Sequence, residues 1–249
     1  RLSSENPNLQ NVPDEMRVIY IADPGYTFIK ADHSQIELWV GAIVADEDQM
    51  LNDLMNGVDI HYISCQLCFP DVPLIHGNRK QDFTHFQQGV AKTITFGTFY
   101  GRTPHSISRE FGVTVAEAES WQLKLINKYP KLAKYRERVE KEFHTKGYLT
   151  SAFGRRRYIS SITQGYNFPV QSAASDVTLG SIVKADQEGL EPLISVHDDI
   201  LYRVPTKTFR RDFQRIKKVM ERPVPELKGV SFKIDYQTGP NWYEMEKLS

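Results

Sequence analysis

Two strand-forming segments that finish at aspartates lie near opposite ends of the chain, and a long helical stretch separates them. Residues 27–32 are mostly apolar up to Asp32, and residues 193–204 place apolar arms on either side of Asp198. Short apolar runs predict β-strands, and the apolar arms of residues 193–204 predict a hairpin with Asp198 at its tip. Residues 46–165 instead follow the period of amphipathic helices. The pattern predicts an α+β fold whose two parts are interleaved in sequence.

Asp32 is expected at the junction between a strand and a helix. Residues 17–21, a turn at 23–25 and the strand that ends at Asp32 predict a β-hairpin. Directly after it, Ser34 and Glu37 have the spacing of a capping box, which begins a helix by satisfying free backbone amides of the first turn. A carboxylate between two rigid elements is well placed for function, although a helix cap or a turn is the commoner use of such an aspartate.

The remaining segments complete the predicted fold. Residues 84–100 and 115–146 predict long amphipathic helices, and Pro130 interrupts the second of them. A helix at residues 208–221 and a strand at residues 230–236 follow the second aspartate segment.

The chain is electrically balanced, with 31 lysines and arginines and 31 aspartates and glutamates. A protein whose main partner is a polyanion usually carries a positive excess, so nucleic-acid binding would have to depend on local basic clusters. Residues 124–146 and 155–157 are two such clusters. A solvated helix face would explain them equally well.

The chain has only two cysteines, Cys65 and Cys68, which excludes a disulfide framework and indicates a reducing compartment. With His61 they have the look of part of a zinc site, but a second pair of ligands at suitable spacing is missing, so packing within a helix is the favoured interpretation. No apolar run reaches membrane-spanning length, and no signal peptide is visible.

The predicted helix at residues 84–100 has a face of mixed chemistry. Gln88, Lys92, Phe96 and Tyr100 recur at every fourth position, so they lie along one side of the helix. A core face would be uniformly apolar, whereas a lysine can bind a phosphate chain and an aromatic ring can stack on a base or sugar. The pattern allows a nucleotide-binding surface and does not by itself distinguish it from an ordinary half-buried face.

Several motifs, in order along the chain, resemble those of family A DNA polymerases, the bacterial DNA polymerase I group. Four of them are RLSSENPNLQNVP at residues 1–13, DHSQIEL at 32–38, AKTITFGTFYG at 91–101 and VHDD at 196–199. FGRRRY at residues 153–158 and NFPVQ at 167–171 fit the same family between the third and the fourth. The resemblance extends from residue 1 to Asn241 and Trp242.

The resemblance implies a division of the predicted α+β fold. Residues 1–45 and 166–249 would form a palm, with an antiparallel β-sheet and packed helices. Residues 46–165 would form a mostly α-helical fingers subdomain. In the family a thumb and any 3′–5′ exonuclease precede these parts, so they would lie N-terminal to residue 1.

The resemblance also implies the reaction, which is template-directed DNA synthesis by a DNA-directed DNA polymerase. A nucleotide would pass from a deoxynucleoside triphosphate to a primer 3′-hydroxyl with release of pyrophosphate. Asp32, Asp198 and the backbone carbonyl of His33 would hold two Mg²⁺ ions, with Mn²⁺ as a substitute. Hard oxygen ligands of this kind suit magnesium.

The nucleotide-binding residues implied by the resemblance include the mixed helix face. Lys92 would contact the triphosphate and protonate the departing pyrophosphate, and Tyr100 would lie at the base of the pocket beside the templating base. Glu37 would block a ribose 2′-hydroxyl, a role that is compatible with its place in the capping box. The family has Phe or Tyr at the position of Phe96, and a Phe predicts poor use of dideoxynucleotides. His61 and Gln88 complete the set.

Positions that match family contacts to primer and template are mostly neutral hydrogen-bond donors, which suit sequence-independent reading of the minor groove. They are Arg1, Gln10, Asn11, Arg155, Asn167, Gln171 and His197. DNA primer–template and deoxynucleoside triphosphates are therefore the expected partners. We expect no membrane contact, a monomer attached to an N-terminal thumb, and a cytoplasmic location in a bacterium or a phage-infected host.

Four residues depart from the family pattern. Gln88 replaces an arginine that grips the γ-phosphate, which should weaken nucleotide binding unless another cation substitutes. Trp39 replaces an arginine, His33 a tyrosine, and Asp199 a glutamate beside the second metal aspartate. Together they predict an active but divergent enzyme, of the kind that viruses carry.

Two other functions fit part of the sequence. A polymerase-like module could bind primer–template without extending it, but such a binder would not need the metal ligands. A single-subunit RNA polymerase shares the palm, but Glu37 and the motif at residues 1–13 oppose that interpretation.

Overall fold

The computed structural model describes residue 5 and residues 8–248 of the chain. In chain order the strands of this part are β1 (Tyr26–His33), β2 (Tyr148–Thr150), β3 (Arg156–Tyr158), β4 (Glu191–Val196), β5 (Asp199–Pro205), β6 (Ile234–Gly239) and β7 (Glu246–Leu248). The helices are α1 (Ile36–Ala45), α2 (Asp48–Met55), α3 (Ile60–Cys68), α4 (Arg79–Asp82), α5 (His85–Phe99), α6 (Pro104–Phe111), α7 (Val115–Lys128), α8 (Lys131–Lys146), α9 (Phe168–Gln187) and α10 (Phe209–Met220). None of these helices has both the length and the apolar character that crossing a membrane requires.

The chain folds as two compact units. The first is made of residues 1–38 and 171–249, and the second of residues 39–170. The first contains a five-stranded antiparallel sheet, and the second is mostly helical. The predicted α+β fold class is confirmed.

The sheet of the first unit has the order β4-β5-β1-β6-β7, so β1 lies in its centre. Alternate residues of a strand face opposite sides of a sheet, and both sides of β1 are covered. On one side Ile29 and Ala31 join a buried cluster with Phe213 and Ile216 of α10. On the other side Phe28 packs with Trp242. This two-sided burial fixes the register of β1, and with it the position of its last residues.

The hairpin predicted for residues 17–32 is wrong in its first arm. Residues Asp14–Ile19 form a 3-10 helix, in which Arg17 pairs with Asp14 at 3.0 Å. Ile21 makes a single bridge with Asn241, and β1 pairs instead with β5 and β6. Two distant strands therefore occupy both edges of β1, and no edge is left for the preceding segment.

Two further local predictions need correction. The capping box predicted with Ser34 as its first residue would begin the helix at Gln35, but Gln35 has a left-handed φ of 56° and α1 begins at Ile36. The strand predicted from residue 230 begins at Ile234, and Val230 forms only an isolated bridge with Val224. The helix predicted at residues 208–221 is confirmed as α10.

In the second unit, α5 packs against α3 and α7. A complete capping box between Thr84 and Gln87 begins α5, and a second one between Thr114 and Glu117 begins α7. The long amphipathic stretch is divided at Pro130, as predicted, into α7 and α8. Two neighbouring helices of the second unit therefore support α5, which carries most of the mixed face.

Candidate active site

Three aspartates of the first unit lie side by side across three strands. Asp32, at the end of β1, pairs with Asp199 of β5 on one side and with Asp235 of β6 on the other. Directly opposed residues of antiparallel strands project from the same face of the sheet. Asp198 lies in the turn between β4 and β5, and this hairpin with an acidic tip was predicted from the sequence.

Burial and the negative charges around it raise the pKa of Asp32 to about 6. Asp198 and Asp199 contribute most of the charge effect, while Lys30 opposes it. Burial also raises the pKa of Asp198, with smaller contributions from Asp199 and from Glu37 of α1. The carboxylates therefore repel one another in a partly desolvated place, where a bound cation would stabilise them.

Lys30 is the cation of this group that the sequence analysis did not select. Its Nζ lies 3.1 Å from Oδ2 of Asp199, and both side chains are largely buried. The other carboxylate oxygen of Asp199, Oδ1, is buried without a hydrogen-bond partner among the described residues. Lys30 precedes Asp32 by two positions on one strand, so the alternation of β1 already placed both on one face. Asp235 carried no such signal, because its opposition to Asp32 depends on a long-range strand pairing.

His33 connects the end of β1 to the turn that carries Asp198. Its backbone nitrogen and its Nδ1 lie 3.2 Å and 3.0 Å from the backbone oxygen of Asp198. A carbonyl only accepts, so Nδ1 carries the proton and Nε2, which is buried and unpartnered among the described residues, does not. Burial lowers the pKa of His33 to about 4 and keeps the ring neutral. His197, the turn residue that precedes Asp198, is exposed and has a left-handed φ of 57°.

The donor set around Asp32 fits a divalent metal. Carboxylate oxygens and a backbone carbonyl are hard ligands. The mutual repulsion of the carboxylates and the unpartnered oxygen of Asp199 show that Lys30 compensates them only in part. In the described part of the chain, no three histidine, cysteine, aspartate or glutamate side chains are grouped so that they could hold a metal by themselves. Substrate or water oxygens would have to complete the coordination.

The second unit carries the mixed face of α5. Lys92 is exposed, and the rings of Phe96 and Tyr100 stack with centroids 5.9 Å apart. His61 of α3 lies beside the same face, with its ring centroid 5.4 Å from that of Phe96. Gln88 is turned away along the helix axis, because its Nε2 donates to the backbone oxygen of Phe83 at 2.8 Å.

His61 is held in a neutral, buried position. Its Nδ1 lies 3.3 Å from Oγ1 of Thr95 on α5. Burial lowers its pKa to about 4; Asp59 opposes this, while the positive charges of Arg79 and Lys92 add to it. Asp59 and Arg79, which pair at 3.0 Å, are site neighbours that the sequence analysis did not select.

The residues predicted to contact DNA are distributed over both units. In the first unit, Gln10 and Asn11 belong to a short 3-10 helix that lies against β4, whose turn presents His197. Gln171 is the fourth residue of α9 and lies in the first-unit part of that helix. In the second unit, Asn167 immediately precedes α9 and exposed Arg155 immediately precedes β3. Arg1 lies outside the described residues.

The two cysteines lie within the second unit. Cys65 and Cys68 are free and buried on α3. Burial raises the pKa of the Cys65 thiol to about 11 and that of Cys68 to about 12, which disfavours the thiolate that a metal needs. The prediction that they serve helix packing is confirmed for Cys65, which joins a buried cluster with Phe83 and Ala91.

Trp39, one of the departures from the family pattern, is also a buried residue.

Comparison with known proteins gives a consistent result over nearly the whole chain. DNA polymerase I of Deinococcus radiodurans is 33% identical over 98% of this chain, and DNA polymerase I of Geobacillus stearothermophilus is 30% identical over 98%. These matches cover 27% and 30% of the two relatives, so the chain spans less than a third of their length.

A solved structure has the same fold. It is the POL domain of Pol1 from M. smegmatis in complex with DNA primer-template and dNTP, which superposes with a TM-score of 0.83 at 22% identity. The superposition covers 98% of this chain and 46% of that one. The family model for DNA polymerase family A matches residues 1–244. By its sequence and its fold, the chain belongs to DNA polymerase family A.

Proposed function

We propose that the protein catalyses template-directed DNA synthesis, by transfer of a nucleotide from a deoxynucleoside triphosphate to a primer 3′-hydroxyl with release of pyrophosphate. The observation that carries the proposal is the group of mutually repelling carboxylates around Asp32 at one face of the sheet. Membership of DNA polymerase family A supports the same reaction. The similar Pol1 domain was solved in complex with DNA primer-template and dNTP, which supports these two substrates.

Asp32, Asp198 and the backbone carbonyl of His33 would hold two Mg²⁺ ions, which Mn²⁺ would replace. When bound, such ions supply positive charge that lowers the pKa of a hydroxyl nucleophile and neutralises a triphosphate. The protein's part is to keep the ligands in place. The strand pairing of β1 with β5 fixes Asp32, and the two hydrogen bonds from His33 fix the carbonyl of Asp198.

The second unit would bind the nucleotide. Lys92 is exposed on α5 and would bind the triphosphate as a point charge and donate a proton to the leaving pyrophosphate. The stacked rings of Phe96 and Tyr100 would face the sugar and base. From the first unit, Glu37 would exclude a ribose 2′-hydroxyl.

In this proposal residues 1–45 and 166–249 act as the palm and residues 46–165 as the fingers. Gln10, Asn11, Gln171 and His197 of the first unit would contact primer and template. Asn167 and Arg155 of the second unit, and Arg1, would also contact DNA. The protein would act as a monomer with an N-terminal thumb, in the cytoplasm of a bacterium or a phage-infected host.

Primer extension by the full-length protein with Mg²⁺, supplied in parallel with deoxy- and ribonucleotides, tests the proposal. We expect extension with deoxynucleotides, and a loss of about a thousandfold or more in Asp32→Asn and in Asp198→Asn. Asp186→Asn, which removes an exposed carboxylate of α9, is the matched control and should extend normally.

Two outcomes would replace the proposal with another function. Binding of primer–template without extension would identify a polymerase-like binding module. Preference for ribonucleotides would identify an RNA polymerase.

A further inference from the structure

The second unit contains an arginine whose head group is held in place but only partly used. Nε of Arg79 donates to Oδ2 of Asp59 at 3.0 Å. Asp59 is itself fixed, because its Oδ1 caps α3 by accepting from the backbone nitrogens of His61 at 2.8 Å and Tyr62 at 3.3 Å. The guanidinium of Arg79 is therefore anchored to the beginning of α3 through a single nitrogen.

The two terminal nitrogens of Arg79 make no hydrogen bond among the residues that the structure describes. The side chain is 24% exposed and lines an open cleft of ≈ 480 Å³ beside the loop that contains Gly57. Those nitrogens are the pair of parallel donors that a guanidinium uses to bind a phosphate or carboxylate in two-point fashion. The anchored arginine thus presents its anion-binding edge to solvent.

The same part of the unit contains the exposed ammonium of Lys92, which forms no ion pair in the described part of the chain. His61 links the two cations in space: its backbone nitrogen bonds to the carboxylate that holds Arg79, and its ring contacts Phe96, one turn beyond Lys92 on α5. The pKa of His61 is lowered first by burial and then by the charges of both Arg79 and Lys92, in agreement with this arrangement.

Gln88, one turn before Lys92 on the same helix, cannot supply a charge, and its amide nitrogen is engaged by the backbone oxygen of Phe83. Asp59 neutralises the positive charge of Arg79, and His61 is neutral. The positive charge of Lys92 therefore remains uncompensated within this group. A phosphate chain carries several negative charges, more than one ammonium can compensate. Lys92 therefore compensates only part of that charge, and Arg79 of α4 offers a second cation with free donors.

We propose that Arg79 binds the terminal phosphates of the incoming deoxynucleoside triphosphate, beside Lys92, and so supplies the charge that Gln88 lacks. The inference rests on the proposed function, since it names a further substrate contact of the same site. Asp59 orients the fork of Arg79 and leaves both terminal nitrogens for the ligand. Lys80, the residue after Arg79, is exposed and makes no side-chain hydrogen bond among the described residues. It therefore has no comparable anchor.

Steady-state primer extension by the full-length protein tests the proposal with Arg79→Gln against Lys80→Gln, which removes the same unit charge from the next residue. We expect Arg79→Gln to raise KM for the deoxynucleotide about tenfold or more, with a smaller change in kcat, and Lys80→Gln to leave both close to wild type. Arg79→Lys keeps the charge but loses the fork, so KM should lie between those of the wild type and Arg79→Gln. An unchanged KM in Arg79→Gln would overturn the inference.

Two further measurements separate phosphate binding from a structural effect through Asp59. Binding of inorganic tripolyphosphate, measured by calorimetry without DNA, should weaken at least about fivefold in Arg79→Gln and not in Lys80→Gln. Adding Gln88→Arg to Arg79→Gln should recover the lost affinity, because it restores a guanidinium to the face of Lys92. If the double variant binds tripolyphosphate no better than Arg79→Gln, Arg79 acts only by stabilising α3 and the inference fails. Absence of extension by the wild type would instead refute the proposed function.

Discussion

His33 donates two hydrogen bonds to a single acceptor, the backbone oxygen of Asp198, from its backbone nitrogen at 3.2 Å and from its Nδ1 at 3.0 Å. The contact joins the end of β1 to the tip of the β4–β5 hairpin, and so joins the two aspartates that we assign to the metals. The ring itself is completely buried. His33 is therefore placed to hold the distance between Asp32 and Asp198.

We expect His33→Leu to lower kcat for nucleotide incorporation about tenfold to a hundredfold, because loss of the side-chain hydrogen bond frees the turn that carries Asp198. KM for deoxynucleotide should change much less, since the ring is completely buried and out of reach of a substrate. His33→Asn keeps a donor near the position of Nδ1 and should restore most of kcat. Equal losses in both variants would indicate a packing role instead, and circular dichroism checks that each variant is folded.

A second prediction concerns the partly buried pair between Lys30 and Asp199. Removing one partner leaves the other charge buried and uncompensated, so Lys30→Met should lower the free energy of unfolding by about 2–4 kcal/mol. Lys30→Met with Asp199→Asn removes both charges and should be more stable than Lys30→Met alone. Urea denaturation of the two single variants and the double variant gives the coupling energy. A coupling energy near zero would show that the 3.1 Å contact has no energetic consequence.

Some parts of this site could be predicted from the sequence and others could not. The tip of the β4–β5 hairpin was predictable, because apolar arms flank the short turn that contains Asp198. The acidic neighbours of Asp32 were not, since Asp235 comes opposite Asp32 only when β6 pairs with the far edge of β1. The same long-range pairing made the predicted hairpin at residues 17–32 wrong.

Helix positions were predicted more accurately than the direction of individual side chains. The helix predicted at residues 84–100 is confirmed as α5, with Tyr100 as the residue that follows it. No spacing could show that the amide of Gln88 turns towards Phe83. The anchoring of Arg79 by Asp59 likewise joins residues from two different elements. Pairings of this kind become visible only when α3 and α4 are packed together.

Glu37 leads to a prediction about sugar selection. Its charge contributes to raising the pKa of Asp198, so Glu37 lies near Asp198 in the first unit. If it blocks a 2′-hydroxyl, Glu37→Ala should raise the ratio of ribo- to deoxynucleotide incorporation about tenfold or more. Competing incorporation of the two nucleotides opposite one template base measures this ratio. An unaltered ratio would leave Glu37 as a residue of the first turn of α1 only.

The ring of Phe96 should set the response to chain terminators. Phe96 stacks on Tyr100 and has no hydroxyl that could replace a missing nucleotide 3′-hydroxyl. We expect the wild type to use dideoxynucleotides poorly, and Phe96→Tyr to improve their use relative to deoxynucleotides by about a hundredfold. Phe96→Leu, which also lacks a hydroxyl, is the control. Efficient termination by the wild type would contradict the assignment of Phe96 to the sugar.

The stability of the protein should fall in mild acid because of His61. The pKa of His61 is lowered to about 4 in the folded protein, mainly by burial, whereas the pKa of an unfolded histidine is about 6.5. Between these two values the unfolded chain binds the extra proton, so the contribution of His61 to stability is complete above the unfolded pKa and is lost as the pH falls towards 4. The full loss would be on the order of 3 kcal/mol.

The contribution is measured as the difference between wild type and His61→Gln in urea denaturation at pH 7 and pH 4.5. Gln can still bond to Oγ1 of Thr95 but cannot gain a proton, so the variant should lose less stability on acidification than the wild type. Raised carboxylate pKa values such as that of Asp32 act in the opposite direction, but they are common to both proteins and cancel in the difference. His85→Gln, at an exposed position of α5, controls for the loss of a histidine as such. Parallel pH profiles of the wild type and His61→Gln would mean that His61 is solvated rather than held neutral against Thr95 and Phe96.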